Sequence, residues 1–178
     1  MNTLRVTEET WEELQVYLDH TSERMAFLAA TRTDGTDPSA GDWTVTGVMY
    51  LDDDTDYACQ GWHGVELADH IRPKTLMWST ELDAGLVEVH SHGAGKRATT
   101  FSTTDLRGLI EITPSVLWRL SGRPYAALVV GGRKDHDSLT WGSKGAAPKP
   151  ISHLVIGTNI THPTGLALDR LAKLKEDS

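Results

Sequence analysis

A single cysteine, Cys59, stands in 178 residues. That excludes a disulfide framework within the chain and any multi-cysteine zinc site. Cys59 is expected in the core, as a small apolar side chain. The nucleoside-deaminase signature, which needs His-x-Glu and Pro-Cys-x-x-Cys, is missing, and so is the His-Glu-x-x-His of the zincins. No run approaches the roughly 18 consecutive apolar residues of a membrane span, so no membrane role is expected. Positive charge is in deficit, with 17 Lys and Arg against 25 Asp and Glu and a net of −8. This argues against non-specific nucleic-acid binding. The opening MNTLRVTEETW lacks the basic-then-apolar pattern of a signal peptide, and the expected address is cytoplasmic.

The length suits one well-buried domain spanning 1–178. Charge is uneven along it: residues 1–89 hold 18 acids and 5 bases, and residues 90–178 hold 7 acids and 12 bases. The bland reading is solvated surface, and the functional one is a bipolar surface that orients a charged protein partner. Lys96, Arg97, Arg107, Arg119 and Arg123 read the same way, as a solvated face or contacts to an acidic partner. Trp43, Trp62, Trp78, Trp118 and Trp141 are scattered, and read as core or interface aromatics instead of a base-stacking platform. His63, His70, His136, His153 and His162 read as surface or hydrogen-bonded histidines.

Helices and strands alternate. Thr7 caps a helix with Glu8 and Glu9 in its first turn and Trp11, Leu14 and Leu18 on one face. Strands are predicted over Met25–Thr31, Trp43–Leu51, Leu86–His90, Tyr125–Val130, Ser138–Trp141 and Leu154–Gly157. Asp52–Asp56 reads as an acidic turn. Further helices are predicted from Pro73 to about Asp83, over Ser102–Leu120 (kinked or divided by Pro114) and over Leu166–Lys175. This interspersion predicts an α/β fold, one sheet with flanking helices.

His90-Ser91-His92, with Ser102 and Asp105 close behind, places two imidazoles, a hydroxyl and a carboxylate within sixteen residues. Histidines at i and i+2 on a strand point to one side, so both can face one ion. Asp105 supplies a third ligand, and catalytic zinc sites take three protein ligands and leave the fourth position to water. Taken alone, Ser102 and Asp105 have a plainer explanation as a helix-capping pair. The combination of His-x-His, loop and Ser-x-x-Asp opening a helix points to a metal.

HSHGAGKRATTFSTTD resembles the motif of the JAB/MPN (JAMM) metalloproteases: His-x-His, a loop, then Ser-x-x-Asp, with a distant upstream Glu. Glu23-Arg24-Met25-Ala26-Phe27-Leu28 matches the segment that carries that Glu, directly after the first helix. GRPYAALVVG, residues 122–131, is similar to the strand that follows the motif helix in bacterial members. The resemblance runs from about Glu8 to Trp141, and the last forty residues match nothing in the family. Two departures stand out. Nine residues, Gly93–Phe101, separate the second His from the Ser where the family usually has seven, and Gly93 replaces a common Pro.

The resemblance implies a JAB/MPN-type three-layer fold, a curved mixed β-sheet flanked by helices. It also implies one Zn²⁺ held by His90, His92 and Asp105, with a water as fourth ligand. Glu23 then serves as general base and Ser102 as oxyanion donor. Glu88, two residues before His90 on the same strand face, is the nearest rival for the base role. The implied activity is an isopeptidase cleaving after the C-terminus of ubiquitin or a ubiquitin-like protein, with the substrate tail paired to a strand beside the site. The implied setting is a stand-alone bacterial member in a ubiquitin-like conjugation, sulfur-carrier or antiphage system. The alternatives are a non-catalytic module binding a ubiquitin-like partner on the same fold, and a hydrolase processing a sulfur-carrier protein. The oligomeric state is not legible.

Overall fold

The structure, a computed structural model, describes residues 1–33, 41–61, 64–92, 99–131 and 135–176. The described elements run β1 (Thr3–Val6), α1 (Glu8–Leu18), β2 (Met25–Arg32), β3 (Asp42–Tyr50), β4 (Tyr57–Gly61), β5 (Gly64–Leu67), α2 (Ile71–Glu81), β6 (Gly85–Ser91), α3 (Thr103–Leu120), β7 (Tyr125–Val130), β8 (His136–Trp141), β9 (His153–Ile156), β10 (Asn159–Thr161) and α4 (Leu166–Glu176). Eight strands form one sheet in the order β10-β9-β1-β3-β2-β6-β7-β8, and β4 and β5 pair as a separate hairpin. The sheet is mixed: β1 lies parallel to β3 and β9, β6 lies parallel to β7, and the remaining pairs are antiparallel. The α/β expectation holds. Among the described residues, no helix is long and apolar enough to cross a membrane.

Strand alternation divides the core into two layers. Ala26, Leu28, Val87, Val89 and Leu128 pack with Trp11, Leu14 and Leu18 of α1. Phe27, Leu86, Tyr125, Ala127 and Val129 pack on the other face with residues of α2, α3 and α4. On β6, Glu88 and His90 share the parity of Leu86 and so face the layer of three helices. Ser91 faces the other way, and its hydroxyl donates to the Leu18 carbonyl at the end of α1 (2.9 Å).

The helices start where the sequence predicts, with one shift. The Thr7 side chain accepts the Thr10 N–H. α2 begins at Ile71, two residues before the expected Pro73. Proline fits there because the first-turn N–H groups have no partner within the helix. α3 stays one helix through Pro114. An interior proline costs about 3 kcal/mol. Leu106, Leu109, Val116, Leu117 and Leu120, all buried, return about 2 kcal/mol each, so packing wins. The Asp52–Asp56 turn forms as predicted, its Asp52 carboxylate accepting the N–H groups of Asp54 and Thr55.

Several expectations are corrected. Cys59 is exposed, because β4 belongs to a two-stranded hairpin that buries little of its own surface. Trp43 and Trp141 are buried, and Trp118 is 69% exposed on the outer side of α3, which leaves only the interface half of its expectation. Nothing in the sequence pattern marks β1, β4, β5 and β10 as strands. Of the remaining histidines, His70 pairs with Asp56 (3.2 Å), His136 is buried, and His153 stacks edge-on with His162. Trp62, His63, Lys96 and Arg97 lie outside the described residues.

Candidate metal centre

The site assembles where β6 ends and α3 begins. β6 and β7 run parallel with α3 between them in the chain, so the helix N-terminus returns to the carboxyl end of β6. Crevices at this position are where open α/β sheets bind ligands. His90 is the penultimate residue of the strand, and His92 follows its end. Their Nε2 atoms and the Asp105 carboxylate form a group whose ligand atoms all lie within 4.8 Å of one another.

The first turn of α3 fixes Asp105. Ser102 is the N-cap and Asp105 sits at N3, forming a reciprocal capping box. The Ser102 side chain accepts the Asp105 N–H (3.1 Å), and Asp105 Oδ2 accepts the Ser102 N–H (2.6 Å). Phe101 and Leu106 flank the cap at the positions of a hydrophobic staple, and both are fully buried in one core layer. The plain capping reading of this pair is therefore correct. It does not compete with the metal reading, because the capped conformation is what aims Asp105 at the histidines.

Asp105 Oδ2 lies 3.1 Å from His92 Nε2 and 3.6 Å from His90 Nε2. Metal–ligand bonds of about 2.0–2.1 Å at the tetrahedral angle give a ligand–ligand edge of about 3.3 Å, and the two distances bracket it. Among the described residues, His90 Nε2 is buried and without a hydrogen bond. A buried polar nitrogen without one costs about 1–3 kcal/mol, and an ion between the three groups removes that cost. These residues fit a metal. Burial works against the charged carboxylate, but His90, His92 and Ser102 outweigh it and hold the Asp105 carboxyl well below the usual range. The rings of His90 and His92 lie 5.1 Å apart, and Phe101 closes the far side of His90 at 5.6 Å.

Glu23 reaches this site through sheet register. Met25 of β2 pairs with His90, and the Ser91 N–H donates to the Arg24 carbonyl (3.1 Å). The paired register ends at Met25 and His90, and continued past its end it would bring Glu23 toward His92. Glu23 is 3% exposed and lies outside the ligand group. Gln60 of the hairpin donates to the Glu23 carbonyl (3.0 Å). The Tyr57 hydroxyl accepts the Met25 N–H (3.0 Å). Together these anchor the strand entrance.

Glu88, the rival base, has a different task. Its Oε2 accepts the Tyr125 hydroxyl (2.9 Å) and an Arg72 guanidinium N–H (3.1 Å), which ties α2, β6 and β7 together below His90. Removing one member of a buried charge pair leaves the other unpaired. Arg72→Met is therefore expected to destabilise the chain by about 3 kcal/mol, read from urea unfolding, whereas a Tyr125→Phe change costs only about 1 kcal/mol. The sequence gives Glu88 the right face but not its partners, since Arg72 and Tyr125 are distant in the chain.

No protein-family model matches the chain, and no curated protein matches it. The site's chemistry therefore rests on its own geometry.

Proposed function

We propose that this chain is a zinc metalloprotease of JAB/MPN (JAMM) type, an isopeptidase that cleaves after the C-terminus of ubiquitin or a ubiquitin-like protein. The observation that carries the reading is the convergence of His90, His92 and Asp105 at tetrahedral-edge distances, with buried Glu23 two residues ahead of the β2 residue that pairs with His90. The mixed sheet between α1 on one face and α2, α3 and α4 on the other supports a JAB/MPN three-layer fold.

His90, His92 and Asp105 would hold the zinc, which would supply Lewis acidity and a water activated at neutral pH. Glu23 accepts a proton from the attacking water and returns it to the leaving amine. Ser102 Oγ already accepts the Asp105 N–H, which leaves its own O–H to donate to the developing oxyanion. An amide needs a polarised carbonyl, a nucleophile and a protonated leaving group, and the set provides all three.

The test combines metal analysis with substrate. One zinc per chain is expected, and cleavage of a ubiquitin-like fusion should stop with a chelator and return with added zinc. Zinc at a thousand times its Kd should stabilise the fold by about 4 kcal/mol, read as a raised thermal midpoint. Iron in place of zinc, or zinc without cleavage of any ubiquitin-like fusion, overturns the assignment.

A further inference from the structure

The last forty residues match no family motif, yet they grip the chain just ahead of the site. Arg170 of α4 donates from Nη1 to the Phe101 carbonyl (2.7 Å). The Thr164 hydroxyl donates to the Thr99 carbonyl (3.0 Å). Thr99 also lies against Gly131, so closely that a Cβ there would meet its Oγ1 at 2.1 Å. α4 is in turn fixed to the sheet, because buried Asp137 of β8 accepts the N–H groups of Gly165 (3.2 Å) and Ala167 (2.8 Å).

These contacts bear on the ligands through two routes. Phe101 is the residue before the Ser102 cap, so fixing its carbonyl fixes where the first turn of α3, and Asp105 within it, starts. The Phe101 ring is also the one packed against His90. The three ligands come from two elements, and their spacing must hold to a few tenths of an ångström for an ion to be bound well. A hydrogen bond that sets that spacing contributes to metal affinity without touching the metal.

We propose that Arg170 is a positioning residue for the metal site, holding the Phe101 backbone from α4 and thereby setting the approach of Asp105 to His90 and His92. The inference rests on the reading that these three residues bind a metal. It makes the C-terminal helix part of the site.

Zinc affinity, measured on the full-length chain by competition with a chromophoric chelator, tests it, with circular dichroism confirming that each variant is folded. Arg170→Ala should weaken zinc about tenfold, the lower end of the effect of outer-shell groups. Arg170→Lys, which keeps a donor, should recover most of the loss, as a general packing role would not require. Should Arg170→Ala fail to fold, Thr164→Val removes the neighbouring bond, with a smaller loss in the same direction. His92→Ala is the control and should lose zinc. Wild-type affinity in Arg170→Ala, or in Thr164→Val where that variant stands in, beside a His92→Ala protein that has lost zinc, overturns the role of α4. Wild-type affinity in His92→Ala overturns the metal site and the inference with it.

Discussion

Glu23→Gln protein is expected to carry zinc at the wild-type stoichiometry while cleaving a ubiquitin-like fusion about 100- to 10,000-fold more slowly. The amide keeps the size and hydrogen-bonding reach of the carboxylate, so packing at this buried position changes little. What it loses is the capacity to take a proton. Because Glu23 stands outside the His90–His92–Asp105 group, metal content should not follow activity down. Single-turnover cleavage beside metal analysis checks both halves. Cleavage at the wild-type rate removes Glu23 from the mechanism, and loss of zinc reassigns it as a ligand.

The second large effect separates two roles that share one turn of helix. Asp105→Ala removes a ligand and half of the capping box. It should lose zinc, lose cleavage, and unfold more easily by about 1 kcal/mol even in the apo state. Ser102→Ala removes the other half of the box at a similar cost in stability. It should nevertheless retain zinc, and its cleavage rate should fall about 100-fold through the missing oxyanion donor. Metal content, urea midpoint and rate, measured on both variants, give a different pattern for each. Zinc retained by Asp105→Ala would remove the central ligand assignment.

The parts of the site that the sequence discloses are those set by short-range rules. Period two along a strand places His90 and His92 on one side. An N-cap followed three residues later by an acid places Ser102 against Asp105, and Thr7 opens α1 in the same local way. Glu23 is less local, yet its distance from β6 closes through one antiparallel pairing of β2. What escaped depends on contacts between remote segments. β1 is four residues long and is a strand because β3 and β9 accept it from both sides. Cys59 is exposed because its hairpin stays apart from the large sheet. The bond from Arg170 to Phe101 crosses 69 positions of sequence, and an arginine on a helix gives no local sign of it. Phe101 itself was legible: an apolar residue just before a cap, with Leu106 four places beyond the cap, is the pattern of a staple.

The hold on residues 99–101 has an evolutionary consequence. The stretch between His92 and Ser102 is anchored by β6 at one end and by Gly131, Thr164 and Arg170 at the other. Because residues 99–101 are held in place, a change of length ahead of Thr99 leaves Asp105 where it is. Each doubling of such a stretch costs only about 0.6 kcal/mol in closure entropy, so two residues beyond the seven usual in the JAB/MPN motif that this segment resembles cost much less. If the proposed function holds, loop length can drift independently of His90, His92 and Asp105.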